Sequence, residues 1–226
     1  MASLADLPGL SRTTPEFRAA LVQLARDNDL DPDKIGAVIA IESGFRANDQ
    51  NARGERALGL IQFWKDYFPE LARAAGMNVS WDDLRTMSAT EQLPLVMAYF
   101  RLRRLKASSS ATDYLVATFL PSQIGKPSGT VLALRGSSDL LPGTKLKLGT
   151  IYASNPTYDT NGDGVITVGD LQERIEGVLD AAATRLRIPV DDDAELPLMH
   201  PAPPSSALGL LFGFGAAFAL ALVSWR

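Results

Sequence analysis

Glu42 interrupts an otherwise aliphatic helix face. In "DLDPDKIGAVIAIES", Ile35, Val38, Ile39 and Glu42 recur at i, i+3, i+4 and i+7, which is one side of a helix. An ionised carboxylate on such a face is costly. Burial raises its pKa toward neutrality, so the group can hold a proton near pH 7 and deliver it as a general acid. From periodicity alone, an ion pair with an arginine such as Arg46 or Arg53 is the favoured account of the placement.

A second group of chemically able residues lies in "DTNGDGVITVGDL". Hard oxygen donors at alternating positions of a loop can wrap a Ca²⁺ ion. Asp159, Asn161 and Asp163 take the first, third and fifth positions, and Gly164 stands where the chain must turn sharply. Val165 offers its carbonyl, Ile166 is the apolar position, and Thr167 and Asp170 complete the set. The pattern is an EF-hand-type loop, similar to dockerin repeats. An aspartate in the last position is shorter than the usual glutamate. No helix is expected before the loop, because "YASNPTY" contains Pro156. One loop without a partner implies a structural ion that staples the following helix, not a sensor.

Composition excludes much else. The chain has no cysteine and a single histidine, His200, in the proline-rich stretch "PLMHPAPPSS". Disulfides, cysteine nucleophiles and cysteine zinc sites are ruled out, and a Ser-His-Asp triad has no histidine to use. The net charge of −4 and the absence of a long basic run argue against nucleic acid as a partner. An enzyme built from this chain would work with carboxylates, hydroxyls and backbone groups.

The elements that must position these residues are helices. Thr13 to Glu16 reads as a capping box, with Pro15 in the first turn of a helix running to about Asp27. Asp31 caps the helix that carries Glu42, and Pro32 opens it. "RANDQNARGERALG" reads as a loop. "LIQFWKDYFPELARAAG" reads as renewed helix, broken or kinked at Pro69. Ser88 to Glu91 is a capping box for a long helix containing Pro94, and "ATDYLVATFL" is a short helix ended by Pro121. Residues 122–156 read as loops with one or two short helices, and "DLQERIEGVLDAAATRLR" as a clear helix. The expected fold class is all-α.

With these residues in place, "ESGFRANDQNARGERALGLIQF" resembles the soluble lytic transglycosylase family, of the goose-type lysozyme fold. Glu42-Ser43 matches the family's Glu-Ser at a helix end. Gly59-Leu60-Ile61-Gln62 matches its Gly-Leu-Met-Gln element, with Ile for Met. The resemblance covers about residues 14–125. It implies a lysozyme-like helical domain in which Glu42 is the sole catalytic acid/base, and Ser43, Asn51, Gly59 and Gln62 line the sugar cleft. The implied reaction cleaves the β-1,4 bond between N-acetylmuramic acid and N-acetylglucosamine in peptidoglycan. It leaves a 1,6-anhydro end and consumes no water.

The chain departs from the family in three places. The glycine loop is longer, Asn51 stands where the family commonly has Ser, and "VATFLPSQIG" replaces a Tyr-Asn-Ala-Gly element. The hydroxyl that usually approaches the catalytic glutamate must then come from elsewhere or be absent; Tyr99 and Tyr114 are the tyrosines considered. Asp49 or Glu55 could position a water and turn the outcome to hydrolysis. A non-catalytic glycan-binding or structural virion protein on the same fold is the reading from a different class.

"SALGLLFGFGAAFALALVSWR" is uncharged from Ser206 to Trp225. A helix of about 20 residues spans roughly 30 Å, a bilayer core. Gly209, Gly213, Ala217 and Ala221 give it one small-residue face for close packing. The expected organisation is a catalytic domain over 1–125, an extension over 126–188 with the calcium loop, an acidic proline-rich linker over 189–205 and a transmembrane helix over 206–226. The N-terminus lacks the basic and apolar parts of a secretory signal. Together these features suggest a phage protein anchored in a virion membrane or tail, or an enzyme on a bacterial inner membrane facing the periplasm. Its partners would be peptidoglycan, the membrane and virion proteins or a second copy.

Overall fold

The structure is a computed structural model that describes residues 7–48 and 57–185. Eight α-helices and two small two-stranded sheets make up these residues. The helices are α1 (Pro15–Asp27), α2 (Pro32–Glu42), α3 (Phe68–Ala74), α4 (Trp81–Leu84), α5 (Ala89–Leu102), α6 (Ala111–Phe119), α7 (Leu148–Ser154) and α8 (Val168–Arg185). The first sheet is a hairpin of β1 (Ala57–Leu58) and β2 (Phe63–Trp64); the second pairs β3 (Val131–Leu134) with β4 (Val165–Thr167), also antiparallel. The described residues are therefore mainly helical, in line with the expected α class, with two small sheets added to it.

Helix α2 is the centre of the molecule. Asp31 accepts hydrogen bonds from the backbone N–H groups of Asp33 and Lys34, and Pro32 opens the helix where a missing N–H costs nothing. Ile35, Val38 and Ile39 are fully buried, but so are Gly36 and Ala37. A helix buried nearly all round is a core helix. Helices α1, α6 and α8 pack on it, α5 packs on α1 and α3, and α8 runs along α6. One apolar cluster extends from Leu7 to Ala182, so residues 126–185 share the core of the preceding helices.

Capping chemistry explains most helix starts. Ser88 and Glu91 form the expected box at α5, and Ser80 and Asp83 form another at α4. At α1 the cap is Thr14, whose hydroxyl accepts from Phe17 N–H, not Thr13, which donates to Leu10. Pro15 must be the first helical residue, and that places the cap directly before it.

The helix expected from Leu60 onward starts only at Phe68. Residues 57–64 form the hairpin instead, its turn set by left-handed backbone at Gly59 (φ 89°) and Gln62 (φ 53°). A Cβ on residue 59 would lie 2.6 Å from the Gln92 side-chain oxygen, so only glycine allows that approach. Pro69 then sits in the first turn of α3 and breaks nothing. In the weakly patterned region 122–156, "VLAL" becomes β3 and "LGTIYAS" becomes α7. Helix α7 leads through a 3-10 turn at Pro156–Tyr158 into Asp159, so the acidic loop does have a helix before it.

The linker 189–205, the apolar stretch 206–226 and His200 lie outside the described residues, as do Asp49, Asn51, Arg53 and Glu55. Among the described residues no helix is long and apolar enough to cross a membrane.

Gln92, fully buried on α5, holds the hairpin. Its side-chain oxygen accepts from Leu60 N–H at 3.0 Å, and its amide donates to the carbonyls of Ala47 and Met87. Replacing it with Leu preserves bulk but strands the buried Leu60 N–H, at about 1–3 kcal/mol for such a group. Urea unfolding of Gln92→Leu should show a stability loss of about 2 kcal/mol or more.

Candidate active site

Glu42 is the last residue of α2 and is 3 % exposed. Helix α6 brings Thr118 to it. The Thr118 hydroxyl lies 2.9 Å from Glu42 Oε1 and 2.8 Å from the Leu115 carbonyl. The 3-10 turn before the acidic loop brings Tyr158, whose hydroxyl donates to the same Oε1 over a longer 3.5 Å. Both hydroxyls thus converge on one carboxyl oxygen, and no hydrogen bond is made to Oε2 among the described residues. Helix α8 adds a cation, since the Arg174 guanidinium lies 4.9 Å from the centre of the Tyr158 ring.

Burial dominates the electrostatics. Removal from water pushes the Glu42 carboxyl up to about 7 from its ordinary 4.5, against the opposing pull of Thr118, the Arg174 charge and Tyr158. A group at that value is available both protonated and ionised at neutral pH. Among the described residues no lysine or arginine forms an ion pair with Glu42. The charge that bears on it comes from α8.

Neither tyrosine named from the sequence fills the place of the missing one. Tyr114 Oη donates to the Lys106 carbonyl and accepts from Asp31 N–H, so it pins the start of α2. Tyr99 Oη donates to the Ala117 carbonyl, and Arg103 stacks on its ring at 3.4 Å. Burial and the Glu42 charge raise the Tyr99 hydroxyl above its ordinary value. The tyrosine at Glu42 is Tyr158, and nothing in local spacing could connect it to a residue 116 positions earlier. Thr118 lies inside the "VATFLPSQIG" stretch and was also missed. Its signal is a lone hydroxyl in the apolar run "LVATFL".

The other expected cleft residues surround the end of α2. Ser43 is fully buried, and its hydroxyl donates to the Leu60 carbonyl at 2.8 Å. It ties the hairpin turn to the helix that carries Glu42. Gly59 and Gln62 bracket that turn, and the Gln62 amide donates back to the Gly59 carbonyl. Asn51 lies outside the described residues.

The acidic loop wraps through its own side chains. Asp159 accepts from the N–H groups of Gly162 and Gly164, Asn161 from Asp163 N–H, and Asp163 from Val165 N–H. Gly164 takes φ 89° at the sharp turn. Thr167 and Asp170 cap α8, and Asp170 also accepts from the Thr160 hydroxyl. Tyr152 Oη donates to Asp159 at 2.6 Å, and Arg135 forms an ion pair with it at 3.3 Å. The Tyr152 bond is the main cause that lowers the Asp159 pKa. Among the described residues no three His, Cys, Asp or Glu side chains stand close enough together to hold a metal ion. The loop has hard oxygen donors in the right order for Ca²⁺, and in this structure internal donors engage them.

The raised Glu42 pKa has a stability consequence with a defined sign. Between pH 4.5 and about 7 the folded protein holds a proton that the unfolded chain has lost. Stability therefore falls as pH rises through that window and levels off above it. Glu42→Gln removes the titration and stays neutral. It should be more stable than the wild type at pH 8 by about 3 kcal/mol, with the gap closing by pH 4. Urea midpoints across that range check both the sign and the window.

No protein-family model matches the chain, and no curated protein matches it.

Proposed function

We propose that the chain is a peptidoglycan lytic transglycosylase on a lysozyme-like helical fold, with Glu42 as its single acid and base. The observation that carries this reading is Glu42 itself. It is a buried carboxyl held near pH 7, anchored through one oxygen and set beside the Gly59–Gln62 turn. Thr118 and Tyr158 engage Oε1, which leaves Oε2 to carry the proton toward substrate. In the first step that proton passes to the glycosidic oxygen as its bond to C1 of the muramoyl sugar breaks. In the second, the muramoyl C6 oxygen bonds to C1 and its proton returns to Glu42. The acid is regenerated and no water is consumed.

Ordinary glycosidases divide acid and nucleophile, or acid and base, between two carboxylates. The proposed route divides nothing and uses Glu42 for both roles. Asp49 and Glu55 remain the groups through which the hydrolytic variant would run. The work at peptidoglycan would be done from a membrane, through the apolar stretch 206–226, in a virion or at the bacterial inner membrane.

Incubation with purified peptidoglycan tests the reaction. Wild-type protein should release muropeptides, and Glu42→Gln should lower release by about 10³-fold or more. Products should be lighter by one water than lysozyme products. Full-mass products would instead establish hydrolysis. Equal, negligible release from both proteins would leave a non-catalytic glycan-binding protein and end the enzyme reading.

The loop over 159–170 would hold Ca²⁺ through Asp159, Asn161, Asp163, the Val165 carbonyl, Thr167 and Asp170. An ion there would fasten α8, and with it Tyr158, onto the site. Calcium in millimolar excess should raise Tm relative to chelator-treated protein. An unchanged Tm would remove calcium from the account and leave the rest standing.

A further inference from the structure

We propose that Arg174 is a positioning residue for Glu42, holding Tyr158 against the carboxyl from α8 and supplying a cation to the site. The proposal rests on the transglycosylase reading for its catalytic consequence, but its geometric part stands on the contacts alone. Arg174 Nη1 donates to the Thr157 carbonyl at 3.1 Å, and the guanidinium lies over the ring of the next residue, Tyr158. One side chain thereby grips both the backbone and the ring of the segment that reaches Glu42. Phe119 of α6 packs against the same Tyr158 ring, with centroids 5.0 Å apart. The ring is thus held between α6 and α8, and its hydroxyl points to Oε1.

Arg174 Nε is buried and has no hydrogen-bond partner among the described residues. An unsatisfied buried donor in a native structure calls for a reason. The stack on Tyr158 and the Nη1 bond to Thr157 supply that reason. A lysine could supply the charge, but it lacks the planar group that stacks on a ring while donating to a carbonyl.

The groups that face Glu42 from each packed element are Thr118 on α6, Tyr158 in the 3-10 turn and Arg174 on α8, with Tyr99 of α5 within reach of its charge. Among these described residues Arg174 is the only one that is cationic. Its removal should make ionised Glu42 less favourable and loosen Tyr158. The acid form would then persist to higher pH, and delivery of the proton in the first step would slow.

The test is direct titration of the Glu42 carboxyl carbon by NMR in the full chain, alongside muropeptide release. Arg174→Met should move the Glu42 midpoint upward by about 0.5 pH unit or more. It should lower kcat about tenfold and leave KM within about twofold. Arg174→Lys should recover most of the midpoint and only part of kcat. Arg174→Gln replaces the Met variant if that protein does not fold. Folded variants whose Glu42 midpoint matches the wild type would overturn the proposal, even with an active enzyme. A midpoint that moves in a protein releasing no muropeptide would overturn the enzyme reading and retain the positioning role of Arg174.

Discussion

A carboxyl group buried at the end of the central helix is the constraint around which this fold is organised. Ionised and alone, Glu42 would be too costly to keep where it is. Its surroundings relieve that cost without cancelling it. Thr118 donates from α6, Tyr158 from the turn before the acidic loop, and the Arg174 charge acts from α8. Each comes from a different element, so all three must dock on α2. The extension beyond residue 125 is therefore not ancillary to Glu42. It docks through α8 against α2 and α6, and its own shape is held farther out, where β3 pairs with β4 and where Tyr152 and Arg135 fix Asp159, the neighbour of Tyr158.

The opposite flank of α2 is held by a shorter chain of contacts. Leu60, at the tip of the hairpin, has its N–H on Gln92 and its carbonyl on Ser43. Both backbone groups of one buried residue are satisfied by side chains, which a turn away from water requires. Gln92 reaches further, to the Ala47 carbonyl in the segment that follows Glu42. The turn, the helix end and α5 are consequently tied together by polar contacts. Gly59 is the residue that permits the close approach. A Glu-Ser pair and a Gly-to-Gln element thus meet in space because their own hydrogen bonds bring them together.

Much of this was legible in local pattern. The intruding Glu42, the Asp31 cap and the Ser88 box follow from rules that need only neighbours, and the structure has each of them. The hairpin was not legible, because "LIQFWKDYF" carries apolar residues at spacings compatible with a helix. What decides against helix there is left-handed backbone at Gly59 and Gln62 together with Gln92, a partner supplied by another helix. Strand β3 has the same character: four apolar residues become a strand only because β4 offers an edge. Tyr158 is the extreme case. Its role depends on α8 folding back over α2 and α6, a tertiary fact that no window of sequence contains.

The balance at Glu42 also explains why three modest interactions serve where one strong one would not. A direct arginine pair would hold the group as a carboxylate, able to accept a proton but not to hold one for donation. Burial without donors would hold it as an acid with little tendency to let the proton go. A shared threonine hydroxyl, a longer tyrosine contact and a cation acting from behind the ring leave the group at about 7, between those limits. Because both hydroxyls lie on Oε1, the opposition to burial is delivered at one oxygen while the other stays free to exchange its proton. On the proposed function, a residue that gives a proton and then takes one back needs that division. Tyr158 reaches Oε1 from 116 positions away because α8, through Arg174, holds its segment against the end of α2.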